Sequence, residues 1–190
     1  MAGFMMFLNR RFGLKDYLLI QDTFNLNTMS GLKNFVKKVI FGTFIAELIG
    51  ALLYMITFVP EFGKEGVWIS IFTSISAFCN AGFDLMGIKT QFSSLTDYSA
   101  NGIMTLTTVA LILIGGIGFS AWDDFVKYKL KFSSYRLQTK IAVAGMAVLV
   151  AVPFVYFYFF EFSSVKWSGM SFAERLLASI FRAVTPRTAG

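Results

Sequence analysis

Long apolar runs alternate with short ones along this chain, and the two short ones end alike. Residues 39–59, 101–122 and 141–160 are almost free of charge, with Glu47 the one charged residue among them. Each is long enough to cross a hydrocarbon layer of about 30 Å as a helix rising about 1.5 Å per residue. Pro60 is expected to close the first span. Gly42, Ala46 and Gly50 stand four apart within it, a small-residue stripe that admits a neighbouring helix. The second span ends in Gly115-Gly116-Ile117-Gly118-Phe119, which points to close packing or a hinge. Pro153 predicts a kink in the third.

Two amphipathic stretches, 67–78 and 171–184, are too short to cross. Each follows a span and runs into a glycine-bearing turn: Cys79-Asn80-Ala81-Gly82-Phe83 in one case, Thr185-Pro186-Arg187-Thr188-Ala189-Gly190 in the other. A half-length helix ending in such a turn is how a pore loop is built. A dehydrated cation needs oxygen ligands, and backbone carbonyls supply them without a trapping charge. Asn80, Ala81, Gly82, Thr188, Ala189 and Gly190 are therefore the candidate cation-binding residues, with Phe83 and Arg187 as support. The competing interpretation is that each glycine merely ends a helix. The repetition of the device, with Gly82 and Gly190 108 positions apart, favours the loop. The fold class implied is an all-α membrane protein of repeated span–pore-loop–span units.

Composition narrows the chemistry. Of 190 residues, 56% are hydrophobic and 15% charged, against about 25% charged in soluble domains. There is no His and a single Cys, Cys79. That excludes a Cys/His metal site, an internal disulfide and a His-based triad. The spans hold no acidic pair, so an enzyme is not indicated and no cofactor is implied beyond a permeant ion. Arg182 and Arg187 can only donate and cannot ligate a cation; a bracing role suits them. Asp84 could draw cations to the mouth of the first turn. Glu47 is expected to pair within the spans, Thr105, Thr107 and Thr108 to bond back to helix carbonyls, and Cys79 to pack.

Basic residues cluster in segments 9–38 and 123–140. By the positive-inside rule both face the cytoplasm, so both short helices enter from outside. These segments suit anionic lipid and give no sign of nucleic-acid binding. The chain opens apolar and only then turns basic at Arg10 and Arg11, the reverse of a signal peptide. It reads as an internal fragment: 1–12 the end of a span, 13–38 a connector, 39–122 one whole repeat (span 39–59, pore helix 67–78, filter 79–83, span 101–122), 123–140 a second connector, and 141–190 half of the next repeat (span 141–160, pore helix 171–184, filter 185–190). The repeats are parallel, whereas a secondary carrier with broken helices, the alternative transport reading, predicts inverted ones.

The strings Phe78-Cys79-Asn80-Ala81-Gly82-Phe83, Gly115-Gly116-Ile117-Gly118-Phe119 and Thr185-Pro186-Arg187-Thr188-Ala189-Gly190 together resemble the membrane subunit of the Trk/Ktr potassium uptake family, the Ktr type above all. The resemblance implies four repeats around one pore, one filter glycine per repeat, and potassium as the permeant ion, with sodium the open alternative. It also implies a homodimer in the plasma membrane, seated on a cytosolic ring of nucleotide-binding regulatory subunits.

Overall fold

The computed structural model describes residues 29–88, 95, 98, 101–129, 131–161 and 171–187. They form six α-helices, with 3₁₀ turns at Met86–Ile88, Phe132–Ser134 and Thr185–Arg187 and no strand among the described residues. Helix α1 is Met29–Phe62, α2 Lys64–Phe78, α3 Gly102–Gly116, α4 Phe119–Tyr128, α5 Leu137–Tyr156 and α6 Phe172–Val184.

The chain forms two units that divide within α1, after Ile45. In the first, α1 exposes Ile40, Phe41 and Phe44. The helix starts at Met29, so Lys37 and Lys38 lie on it and not in a separate connector. Residues 1–28 of the expected span end and connector lie outside the described residues.

In the second unit, α1 from Ala46 onward packs with α2 and α3 around Tyr54, Phe58, Ile69, Phe78, Met86, Met104 and Leu111. The Tyr54 hydroxyl meets Thr108 Oγ1 at 2.7 Å, and Thr108 donates back to the Met104 carbonyl at 2.8 Å. Pro60 does not close α1. The helix continues to Phe62 because Pro removes only one donor, and Gly63, at φ +60°, makes the turn. That turn folds α2 against α1 so closely that a Cβ on Gly66 would lie 2.6 Å from the Phe58 carbonyl carbon.

The second span is not straight. It breaks into α3 and α4, bent by 96°, with Gly118 at φ +90°. Of the two roles open to the glycines, both are used: Gly118 turns the chain, and Gly115 abuts the end of α2. Trp122 secures the corner. Its indole N–H donates to the Ile114 carbonyl at 3.0 Å, taking one of the acceptors that a helix end leaves open. Its ring meets Phe78 and Phe119 edge-on, each at 5.8 Å.

Residues 123–140 are mostly helix, not loop: α4 runs to Tyr128 and α5 starts at Leu137. Asp124 explains this. Fully buried, it accepts from the Arg136 backbone N–H at 3.1 Å and the Thr139 hydroxyl at 2.6 Å, with Arg136 Nε at 3.3 Å. Arg136 also pairs with Asp123 at 3.2 Å. A carboxylate at the start of α5 suits the positive end of the helix dipole. Helix α5 passes through Pro153 and widens into a π-helical turn at Phe157–Glu161.

Helices α1 and α5 are long and apolar enough to cross a membrane, and α3 with α4 makes a third candidate as a broken span. Their faces carry exposed Leu52, Ile56, Val148, Leu149 and Val152, as a lipid solvent allows. This is an all-α membrane protein.

Candidate functional site

Helix α2 has 15 residues, about 22 Å of rise, short of the about 30 Å that a hydrocarbon core spans. Its buried face is small and polar: Gly66, Ser70, Thr73, Ser74 and Ser76 lie beside Ile69 and Phe78. Ser74 donates to the Glu47 carbonyl at 2.7 Å. Gly50, the last of the small stripe, leaves room for that contact; a Cβ there would stand 2.5 Å from Ser74 Oγ and 2.7 Å from Leu111 Cδ1. The Glu47 carboxyl, expected to pair, has no hydrogen-bond partner among the described residues; its link to α2 is its backbone.

The end of α2 shows which residue caps it. Asn80 has φ +53°. Its N–H reaches the Ala77 carbonyl at 3.2 Å, and the Ala81 N–H reaches the Ser76 carbonyl at 2.9 Å. This pair of bonds is the Schellman cap, with Asn in the left-handed position that Asn tolerates. Asn80 therefore caps the helix, and Gly82 is not the cap. Gly82 lies two residues beyond, at φ +70°, a second left-handed turn that the helix end does not require.

Beyond the cap the chain is held again at Phe83. The Ser76 hydroxyl accepts from the Phe83 N–H at 3.0 Å and donates to the Phe83 carbonyl at 2.6 Å. Asp84 then accepts from the Met86 N–H at 2.9 Å, and Met86, 1% exposed, plugs into the core. Among the described residues nothing donates to the carbonyls of Asn80, Ala81 or Gly82. Gly82, Phe83 and Asp84 are exposed and Asn80 and Ala81 half-buried. The Asn80 side chain leans on the Phe78 carbonyl at 3.5 Å, and its own Oδ1 is buried with no partner among the described residues. Cys79 is exposed, not packed.

The structure brings Asn80, Ala81, Gly82 and Phe83 into one turn. Thr188, Ala189 and Gly190 lie outside the described residues, as does the side chain of Arg187. The helix leading to them is well defined: α6 begins with a capping box, Glu174 accepting from the Ser171 N–H at 2.8 Å. It packs on α3 and α5 through Ala178, Phe181 and Val184. Arg182 pairs with Glu161 at 3.3 Å. Ser76, Gly115 and Trp122 were not singled out as site residues by pattern, because a serine in a final helical turn and a tryptophan past a glycine run carry no signal alone.

A profile of the TrkH family, described as cation transport protein, matches residues 21–190. The chain belongs to the TrkH family of cation transport proteins. It is 35% identical to the potassium/sodium uptake protein NtpJ of Enterococcus hirae over 174 residues, 91% of this chain and 37% of that protein. It is likewise 35% identical to the Ktr system potassium uptake protein B of Bacillus subtilis over 188 residues, 98% of this chain and 41% of that one. A Ktr system potassium uptake protein B of Vibrio alginolyticus is 29% identical over 183 residues. The chain thus spans about two fifths of the length of the curated relatives it matches. These relatives are uptake proteins, and the Trk/Ktr resemblance read from the three strings stands.

Proposed function

We propose that Asn80, Ala81 and Gly82 form one arm of a cation selectivity filter, and that the intact protein moves potassium across the cell membrane through a channel-like pore. The observation that carries this reading is the separation of cap from glycine. Asn80 ends α2, yet the backbone turns left-handed again at Gly82, and among the described residues three consecutive carbonyls have no donor. Unpaired carbonyls at membrane depth are tolerated where they face water or an ion. The negative end of the α2 dipole lies beside them and favours a cation. Thr188, Ala189 and Gly190 supply a second arm on this reading, with Phe83 and Arg187 supporting the two. Permeation replaces water by carbonyl oxygen, with no covalent step.

The rest follows from family resemblance and charge. The intact protein is multi-pass, with 9–38 and 123–140 on the cytoplasmic side, and works as a homodimer on a cytosolic nucleotide-binding ring that regulates it. Sodium is a second candidate ion, as the name of the Enterococcus relative suggests for that protein. The test is growth of a potassium-transport-deficient strain on limiting potassium. The full-length parent should rescue growth and its Gly82→Ser variant should not, because an L-residue at φ +70° costs about 1–2 kcal/mol. Equal rescue at equal membrane abundance would refute the filter assignment.

A further inference from the structure

We infer that Ser76 is the positioning residue of this loop: one residue holds the backbone on both sides of Gly82. Its carbonyl accepts from the Ala81 N–H at 2.9 Å. Its hydroxyl accepts from the Phe83 N–H at 3.0 Å and donates to the Phe83 carbonyl at 2.6 Å. Among the described residues Gly82 itself is held by no hydrogen bond, so its torsions are set by where Ala81 and Phe83 are pinned. Ser76 can pin them because it is 8% exposed in the last turn of α2, beside Phe78, whose ring Trp122 fixes. A serine at this place in a helix ordinarily bonds back to the preceding turn, as Ser70 does to the Gly66 carbonyl at 2.6 Å. Ser76 instead reaches seven residues forward.

The serine is not repeated at the matching position of the second short helix. The position 108 residues on is Val184, which is fully buried against Val109 and Ile112 and has no hydroxyl. Thr185, next to it, donates to its own helix at the Phe181 carbonyl, 2.7 Å away. Loss of the Ser76 hydroxyl therefore removes both side-chain bonds to Phe83 and frees the turn at Gly82.

This inference rests on the filter reading, and the experiment separates the two. Potassium-over-sodium selectivity of uptake is measured for the intact protein and for its Ser76→Ala, Ser76→Thr, Ser70→Ala and Gly82→Ser variants at matched membrane abundance. Ser76→Ala should lower selectivity about tenfold, the scale of two lost hydrogen bonds, Ser76→Thr should recover much of it, and Ser70→Ala should match the parent. Selectivity unchanged in Ser76→Ala but lowered in Gly82→Ser overturns the clamp and keeps the filter. Selectivity unchanged in both overturns the two together. Should Ser76→Ala fail to reach the membrane, Ser76→Cys takes its place, and unchanged selectivity there overturns the clamp equally.

Discussion

Gly115→Ala adds one methyl where the second span touches the end of the short helix. A Cβ at Gly115 would overlap the Phe78 carbonyl oxygen and stand 2.9 Å from its carbon and 3.4 Å from its Cα. All three atoms are backbone, so no side chain can swing aside. Relief requires α3 and the end of α2 to separate by about 1.5 Å, the shift that returns these atoms to ordinary contact. Overpacking of this kind costs about 1–3 kcal/mol. The better helix propensity of Ala returns up to about 1 kcal/mol. The net expectation is a loss of about 1–2 kcal/mol, and Phe78 is the residue directly before the Cys79–Gly82 turn. The assay pairs thermal stability of the detergent-solubilised intact protein with cation uptake. Gly115→Ala should lower both, and uptake should fall further than the abundance of folded protein. The matched control is Gly102→Ala on the same helix, where an added Cβ meets only Leu177 Cδ1 at 3.7 Å and stability should hold. A Gly115→Ala protein as stable and active as the Gly102→Ala protein would refute the reasoning.

Tyr54→Phe removes the hydroxyl that joins α1 to α3 while Thr108 keeps its bond to Met104; thermal unfolding should show a loss of about 1 kcal/mol, with ion preference unchanged. Asp124→Ala strands the Arg136 backbone N–H and the Thr139 hydroxyl and breaks the Arg136 pair. The expected loss is about 3 kcal/mol, seen as lower abundance and stability, again without a change in selectivity. A selectivity change in either variant would mean that these contacts reach the loop by a route the structure does not give.

The spans were legible because twenty apolar residues in a row leave few alternatives, and the turn at 79–83 because Asn and Gly are the residues that take positive φ. Which of the two caps the helix was not legible. Either can end a helix, and only the bonds from Asn80 and Ala81 back to Ala77 and Ser76 decide it. Pro60 read as a stop because sequence shows the lost donor and not the packing of Phe62 on Phe58 that carries the helix past it. The corner at Gly118 was open between hinge and close packing, since its angle depends on an indole four residues on finding the Ile114 carbonyl. The charges of 123–140 read as a cytoplasmic connector. Asp124 buries itself at the start of the next helix instead, a partnership twelve residues away that no local pattern announces.

The central claim is that the carbonyls around Gly82 choose the ion. It is tested most directly with liposomes holding the intact protein, by measuring rubidium uptake against competing potassium or sodium. The parent should be blocked by potassium at far lower concentration than by sodium, and Gly82→Ser should narrow that gap about tenfold, the scale of the backbone strain it introduces. A gap of the same width in a variant that inserts and folds normally would contradict the account.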